Sequence, residues 1–457
     1  MINTKYFKII ALGLLLSTTA CDTLDVEPQA SLPAETAFTN KSAAEAGLIG
    51  AYSALQSANY MGLRYFAFAD MTADNIAHTG TFPSFAQIAN RQILPDNVEL
   101  SNMWNIIYSG INRANNIIAQ VPEINDPSFN NKESVVAQAR FLRAYHYFNL
   151  INYFGGSPNG YGQAGGLGVP LRTEPTSAVL DAEPTPRASE AEVIAQVMQD
   201  LDFAIQNLPD SYGAQAQTKG RATKSAAVAL KSRVQLYQGR YQEAADLANE
   251  VINSGRFELM SSYADIYERN TMESIWELQF DPVNSNSIAF FWFPSASGGR
   301  NELSPSANLR NAHAAGDERL ATNNLSTSIT GKYTRITDGT DHVMLIRYAE
   351  VLLNRAEALA RLGGVANIEE ALGLLNEVRE RADLAPYVTL DQQDLIRQIL
   401  EDRRLELAHE GHRWFDLRRS GLAMPVLGIT DDRKTLWPIP EREVLTSDGA
   451  VEQNPGY

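Results

Sequence analysis

The sequence holds one cysteine, Cys21, in 457 residues. No disulfide can form within the chain, the only thiol lies at the terminus, which excludes thiolate catalysis and thiolate metal sites, and stability must come from packing. Basic residues are also in deficit. There are 38 Lys and Arg against 54 Asp and Glu, a formal net charge of −16. Such a surface repels phosphate backbones, so nucleic acid is not an expected partner. Beyond residue 20 no apolar run approaches the roughly 18 residues of a membrane-crossing helix. Gly331-Lys332 lacks the upstream glycine and the following Ser or Thr of a phosphate loop, and no Gly-x-Ser-x-Gly nucleophile elbow occurs. His409-Glu410-Gly411-His412 sets its histidines one residue too close for a zinc-protease helix. The sequence therefore implies no metal and no other cofactor. Glycoside hydrolysis needs only two carboxylates, and among 54 acidic residues no pair stands out.

What is present begins at the N terminus. Lys5 and Lys8 precede a compact apolar segment, 9–16, and small residues lead to Cys21. Residues 1–20 read as a bacterial signal peptide and Cys21 as a lipidation site, which would tether the protein to a membrane surface. Thr18 departs from the aliphatic residue usual there. Residues 21–33, acidic and then rich in Pro and Ala, read as a flexible tether. The body would span 34–457.

The body has helical periodicity. Helices are predicted over 42–57, with Ser42 and Glu45 as a capping box, through Trp104, Ile107, Ile111 and Ile118, over 134–153, and from 187 or 189 to 208. Two later segments share one grammar, helix, short turn, helix: 222–237 with 241–253, and 343–362 with 368–381. Small residues at their contacts suggest tetratricopeptide-type hairpins. Residues 157–183 read as loop. Two irregular insertions, 70–97 and 257–336, interrupt the scaffold, and the alternation over 274–280 predicts a strand within the second.

The C-terminal third is more specific. Arg347-Tyr348-Ala349-Glu350 through Ala358 leads to Asn376-Glu377-Val378-Arg379. Then come Arg403-Arg404-Leu405-Glu406 through Arg419, Pro438-Ile439-Pro440, and Gln453-Asn454-Pro455-Gly456-Tyr457. With Trp104 to Asn115, Ala139 to Ala144, Tyr147-Phe148 and Gly220 to Thr223 upstream, this order strongly resembles the SusD/RagB family of outer-membrane nutrient-binding lipoproteins of Bacteroidetes. The resemblance implies an all-α fold, with four tetratricopeptide-like pairs as scaffold and irregular insertions carrying the ligand surface. It implies a lipid-anchored protein facing the cell exterior. Such a protein captures oligo- or polysaccharide and delivers it to a SusC-like TonB-dependent transporter, without breaking a bond. A peptide cargo, a protein-binding tetratricopeptide scaffold and a glycan-cleaving enzyme are the alternatives.

The charged C-terminal motif, Arg403, Arg404, Glu406, Glu410, Arg413, Asp416 and Arg418, lies on or beside one helix, where opposite charges three and four apart can pair, and reads as a buried or half-buried ion network tying that helix to the repeat pairs. Trp414 and Phe415 read as core. A sugar ring needs an aromatic platform for its C–H face and planar polar groups for its hydroxyls. The insertions offer Asp70, Asp74, Asn75, Phe82 and Phe85 in the first, and Phe290, Trp292, Arg300 and Asn301 in the second. Phe290 to Phe293 taken as extended would turn Phe291 and Phe293 inward and Trp292 outward, making Trp292 the leading ligand residue. His78, Asn90, Asn284, Asn286 and Arg310 are lesser candidates.

Overall fold

The structure is a computed structural model and describes residues 38–176 and 183–457. The signal peptide, Cys21 and the tether lie outside the described residues.

Helices dominate. α1 (Lys41–Gln56), α2 (Arg64–Thr72), α3 (Pro83–Ala89), α4 (Val98–Gln120) and α5 (Lys132–Phe154) form the first third. α6 (Glu190–Asn207), α7 (Lys224–Tyr237) and α8 (Tyr241–Asn253) follow, then the short α9 (Ile288–Trp292). α10 (Tyr348–Leu362), α11 (Val365–Arg381), α12 (Gln392–Glu406), α13 (Arg413–Arg419) and α14 (Glu441–Thr446) complete the set used below. The helices pack in pairs, α1 with α4, α5 with α6, α7 with α8, and α10 with α11, each pair also touching the next. These are the four tetratricopeptide-like pairs. α4 shows why: Leu100, Met103, Trp104, Ile107, Ile111, Ala114 and Ile117 bury one stripe at three- and four-residue spacing. α5 is buried on nearly all sides, as the middle of the stack requires. One apolar core joins the first three pairs to the insertions, and a second surrounds α10, α11 and α12.

The ends are set by capping. Ser189 caps α6 in a full capping box with Glu192. At α1 the cap is Asn40, whose side chain accepts from the Ala43 N–H, and not the predicted Ser42–Glu45 box. The strands are short. β1 (Ile76–His78) pairs with β5 (Leu303–Pro305), β2 (Leu167–Pro170) with β3 (Arg187–Ser189), and β4 (Ser274–Leu278) with β6 (Val343–Arg347), all antiparallel. The strand expected near 274–280 is β4. Its partner β6 corrects the helix expected from residue 343, because those five residues complete the β4 ladder before α10 begins at Tyr348. Likewise the loop expected over 157–183 holds β2. No helix among the described residues is long and apolar enough to cross a membrane.

Candidate functional site

The β1–β5 ribbon joins the two insertions. Its register places His78 opposite Leu303 and Ile76 opposite Pro305. The segment after β1 thereby meets the segment before β5, although more than 200 residues separate them in the chain. At their junction lies Glu302, buried to 1 %. Its carboxylate accepts from the Thr81 N–H at 3.0 Å, the Phe82 N–H at 3.3 Å and Arg300 Nε at 2.8 Å, and faces His78 Nε2 at 3.0 Å. Gly80 makes this approach possible, since a Cβ there would sit 1.9 Å from Glu302 Oε2.

Held in this way, Arg300 lies over the Phe82 ring, its guanidinium carbon 4.0 Å from the centroid. The Arg300 N–H donates to the Phe290 carbonyl at 2.7 Å. Asn301 adopts the left-handed conformation (φ 55°), and its carbonyl accepts from Thr79 Oγ1 at 2.9 Å. Beneath, Phe82 packs edge-on against Phe85, and Phe85 stacks on Phe291. Phe290 is the one exposed Phe or Trp among the described residues. The result is a patch of an exposed aromatic, a guanidinium plane and an amide on a firm aromatic floor. That combination fits an apolar ring face bordered by hydroxyls.

The expected site residues divide between this patch and the interior. Phe82, Phe290, Arg300 and Asn301 come together on it. Phe85 is buried beneath it. Trp292 requires a correction: residues 288–292 form α9 instead of an extended run, so the alternation argument fails. Its ring is fully buried, 4.9 Å from the His409 ring, and offers no face to a ligand. Asp70, Asp74 and Asn75 also turn inward. Asp70 accepts from the backbone N–H groups of His409 and Arg413, and burial, only partly offset by these bonds, pushes its carboxyl up to about 7. Asp74 pairs with Arg413 at 2.8 Å and Arg404 at 3.2 Å, and Asn75 accepts from Arg404 Nε at 2.9 Å. These three residues anchor the first insertion to the C-terminal motif. Asn286 binds the Asp341 carbonyl, and Arg310 binds the Pro305 carbonyl. Glu302, Gly80 and Thr79 were not singled out in the sequence, where a lone Glu among many acids carries no signal.

The C-terminal ion network is buried and ties this segment to the helical pairs, as expected; Asp416 and Arg419 pair at three-residue spacing, and most other partners are remote in sequence. α12 ends at Glu406 and α13 begins only at Arg413, so the motif is not one helix. Gly411 lies between them with φ 83°, and a Cβ there would stand 2.6 Å from the Phe66 Cα. Arg347 donates to Glu273 at 2.8 Å, Glu406 at 2.6 Å and Glu410 at 2.8 Å. Arg403 pairs with Asp416 at 2.8 Å, and Arg319 with Asp317 and Asp402. Arg418 donates to the Asn152 and Gly155 carbonyls at the end of α5. Trp414 and Phe415 are buried in the core. The network clamps both insertions and the C-terminal segment to the helical stack.

A separate hollow of about 520 Å³ lies between α4, the 170–176 segment and α14, lined by Trp104, Tyr108, Arg172 and Glu443. Two of its three amides are occupied internally: Asn112 bonds Thr176, and Asn115 bonds the Arg172 and Glu174 carbonyls. The ribbon patch, built around the exposed Phe290 and the outer face of Arg300, is the stronger candidate.

Two family models match the chain. One, SusD-like and described as starch-binding associating with outer membrane, matches residues 22–236, and the SusD family model matches 322–425. SusD-like protein P2 of Formosa agariphila is 27 % identical, the alignment covering 99 % of this chain and 100 % of the relative. SusD-like protein P38 of the same organism is 28 % identical over 100 % of this chain and 99 % of the relative. Among solved structures, a laminarin binding SusD-like protein superposes with a TM-score of 0.77 at 27 % identity, covering 92 % of this chain and 100 % of the other. A SusD superfamily protein from Bacteroides thetaiotaomicron gives a TM-score of 0.77 at 26 % identity, covering 90 % and 99 %. The ordered motifs of the C-terminal third, the four helical pairs and these matches over nearly the whole chain agree: the protein belongs to the SusD/RagB family.

Proposed function

We propose that this protein captures a glycan at the bacterial surface on the patch formed by Phe82, Phe290, Arg300 and Asn301. It then delivers the glycan to a SusC-like TonB-dependent transporter. Lipidation at Cys21 would hold it to the outer membrane, facing outward, with residues 21–33 as tether. Capture here is binding without turnover. The observation that carries this reading is Phe290: the five tryptophans are buried, and the single exposed Phe or Trp of the described residues sits where both insertions converge. Membership of a family with a starch-binding description supports a glycan ligand, as does the laminarin-binding neighbour.

The test is affinity electrophoresis of the purified protein through gels containing single polysaccharides, with Phe290→Ala alongside. Retardation by one glycan class, weakened about tenfold in Phe290→Ala, is expected, since losing a stacking ring costs on the order of 1–1.5 kcal/mol. Equal retardation of both proteins would move the site away from the ribbon. Retardation by no glycan, with a peptide library bound instead, would replace the cargo.

A further inference from the structure

The guanidinium at the centre of the patch could recruit carboxylated or sulfated glycans, or it could serve neutral ones as a flat hydrogen-bond donor. Its surroundings decide between these. Arg300 is 40 % exposed at its side chain, so its outer face meets a ligand. Its inner edge is tied to Glu302 Oε1 at 2.8 Å, and Glu302 itself is 1 % exposed. Glu302 is surrounded by donors: two backbone N–H groups, the Arg300 Nε and the His78 ring. Burial alone would push this carboxyl up. The bonds from Arg300, His78 and the backbone outweigh it and hold the group below the usual carboxylate range. The positive charge of Arg300 is therefore matched by a fixed negative charge in contact with it.

The rest of the patch adds no free cation. Arg64, 5.9 Å from the Phe85 ring, is paired with Glu99 at 2.5 Å. Asn301 and Thr79 are neutral, and they bond each other. Seen by an incoming chain, Arg300 and Glu302 form a dipole instead of a charge, and the field of a dipole fades much faster with distance. The chain as a whole carries −16, which repels polyanions further. What Arg300 retains is geometry. Stacked on Phe82, it presents a rigid plane whose remaining N–H groups can bond adjacent hydroxyls.

We infer that Glu302 determines the charge selectivity of this site, cancelling Arg300 so that the patch accepts neutral glycans and turns away polyanionic ones. This rests on the patch being the glycan site, as proposed above. Glu302 touches no ligand. It acts through Arg300 as a positioning and neutralising residue.

The variant Glu302→Gln removes the negative charge while keeping the side-chain length and one acceptor oxygen. It is compared with wild type, Phe290→Ala and Arg300→Ala on laminarin and starch as neutral glucans, and on alginate and carrageenan as polyanions. Wild type is expected to be retarded by a neutral glucan and by neither polyanion. Its binding should stay constant between about 50 and about 500 mM NaCl, because no net charge is engaged. Glu302→Gln should gain polyanion binding at least about tenfold tighter than wild type, in a salt-sensitive manner, with Arg300 left unneutralised. The inference is overturned if folded Glu302→Gln keeps the wild-type profile, or if wild type binds a polyanion and Arg300→Ala abolishes that binding. Should Glu302→Gln fail to fold, wild type on the polyanions at about 50 mM NaCl decides: retardation there that Arg300→Ala abolishes overturns the inference. Phe290→Ala separates the two levels of argument. If it binds like wild type, the placement of the site fails and charge selection fails with it. If it loses binding while Glu302→Gln behaves as wild type, only the charge argument fails.

Discussion

Arg347→Met would test whether the buried ion network holds the insertions to the stack. Arg347 is 1 % exposed and bonds three carboxylates, Glu273, Glu406 and Glu410, as well as the Glu406 carbonyl. Methionine fills much of the volume but supplies no donor. Glu410 would keep Lys332 at 2.7 Å and the Tyr267 hydroxyl at 2.8 Å, and Glu406 would keep Arg381 and Arg319. Removing one partner from a buried pair costs about 3–5 kcal/mol, because a charge is left uncompensated. A second route gives a similar figure. Burial would push the Glu410 carboxyl up, yet Arg347 and Lys332 bring it down to about 2 from the ordinary 4.5. At about 1.4 kcal/mol per unit this is on the order of 3 kcal/mol net of the burial cost, shared between the two cations.

The sign follows from that depression. A carboxyl held lower in the folded protein adds stability above pH 4.5 and loses it as pH falls toward 2. The pairing that Arg347 supplies therefore disappears over the same window. Chemical unfolding followed by tryptophan fluorescence should show Arg347→Met less stable by about 3–5 kcal/mol at neutral pH, and the gap should narrow as pH falls from 4.5 toward 2. A gap below about 1 kcal/mol at neutral pH, or one independent of pH, would refute the reasoning.

Other substitutions separate interior from surface. Trp292→Ala should destabilise by about 3–5 kcal/mol in a denaturant titration, as a large cavity-forming change, whereas Phe290→Ala should cost under about 1 kcal/mol while weakening glycan retardation. Asp70→Asn should gain stability relative to wild type as pH rises from 4 to 7. The wild-type carboxyl, held up at about 7 by burial, must ionise unfavourably over that range, by up to about 4 kcal/mol, and a pH-independent difference would show that Asp70 does not titrate there. Gly411→Ala should lower the thermal midpoint measurably, because its φ of 83° and its contact with Phe66 both oppose a Cβ. An unchanged midpoint would mean that the 407–412 turn relaxes freely.

The sequence by itself determined the helical stack. Its cause is local and repetitive: apolar residues at three- and four-residue spacing, small residues at hairpin contacts, and caps such as Ser189 with Glu192. The family motifs were legible for the same reason, as they are contiguous along the chain. What only the tertiary structure decided is everything carried by contacts remote in sequence. Residues 343–347 have no local signal that turns them from helix to strand; the partner strand 274–278 does so. Four aromatics in a row at 290–293 fit an extended or a helical reading equally well. Packing against His409 chose the helix, buried Trp292 and left Phe290 outside. Asp70 and Asp74 resemble ligand groups until Arg413 and the 409–413 backbone arrive from the far end of the chain. Glu302 could not be found before the β1–β5 ribbon placed it under Arg300 and beside His78. Its burial among donors from both insertions is a property of the fold and of no segment within it.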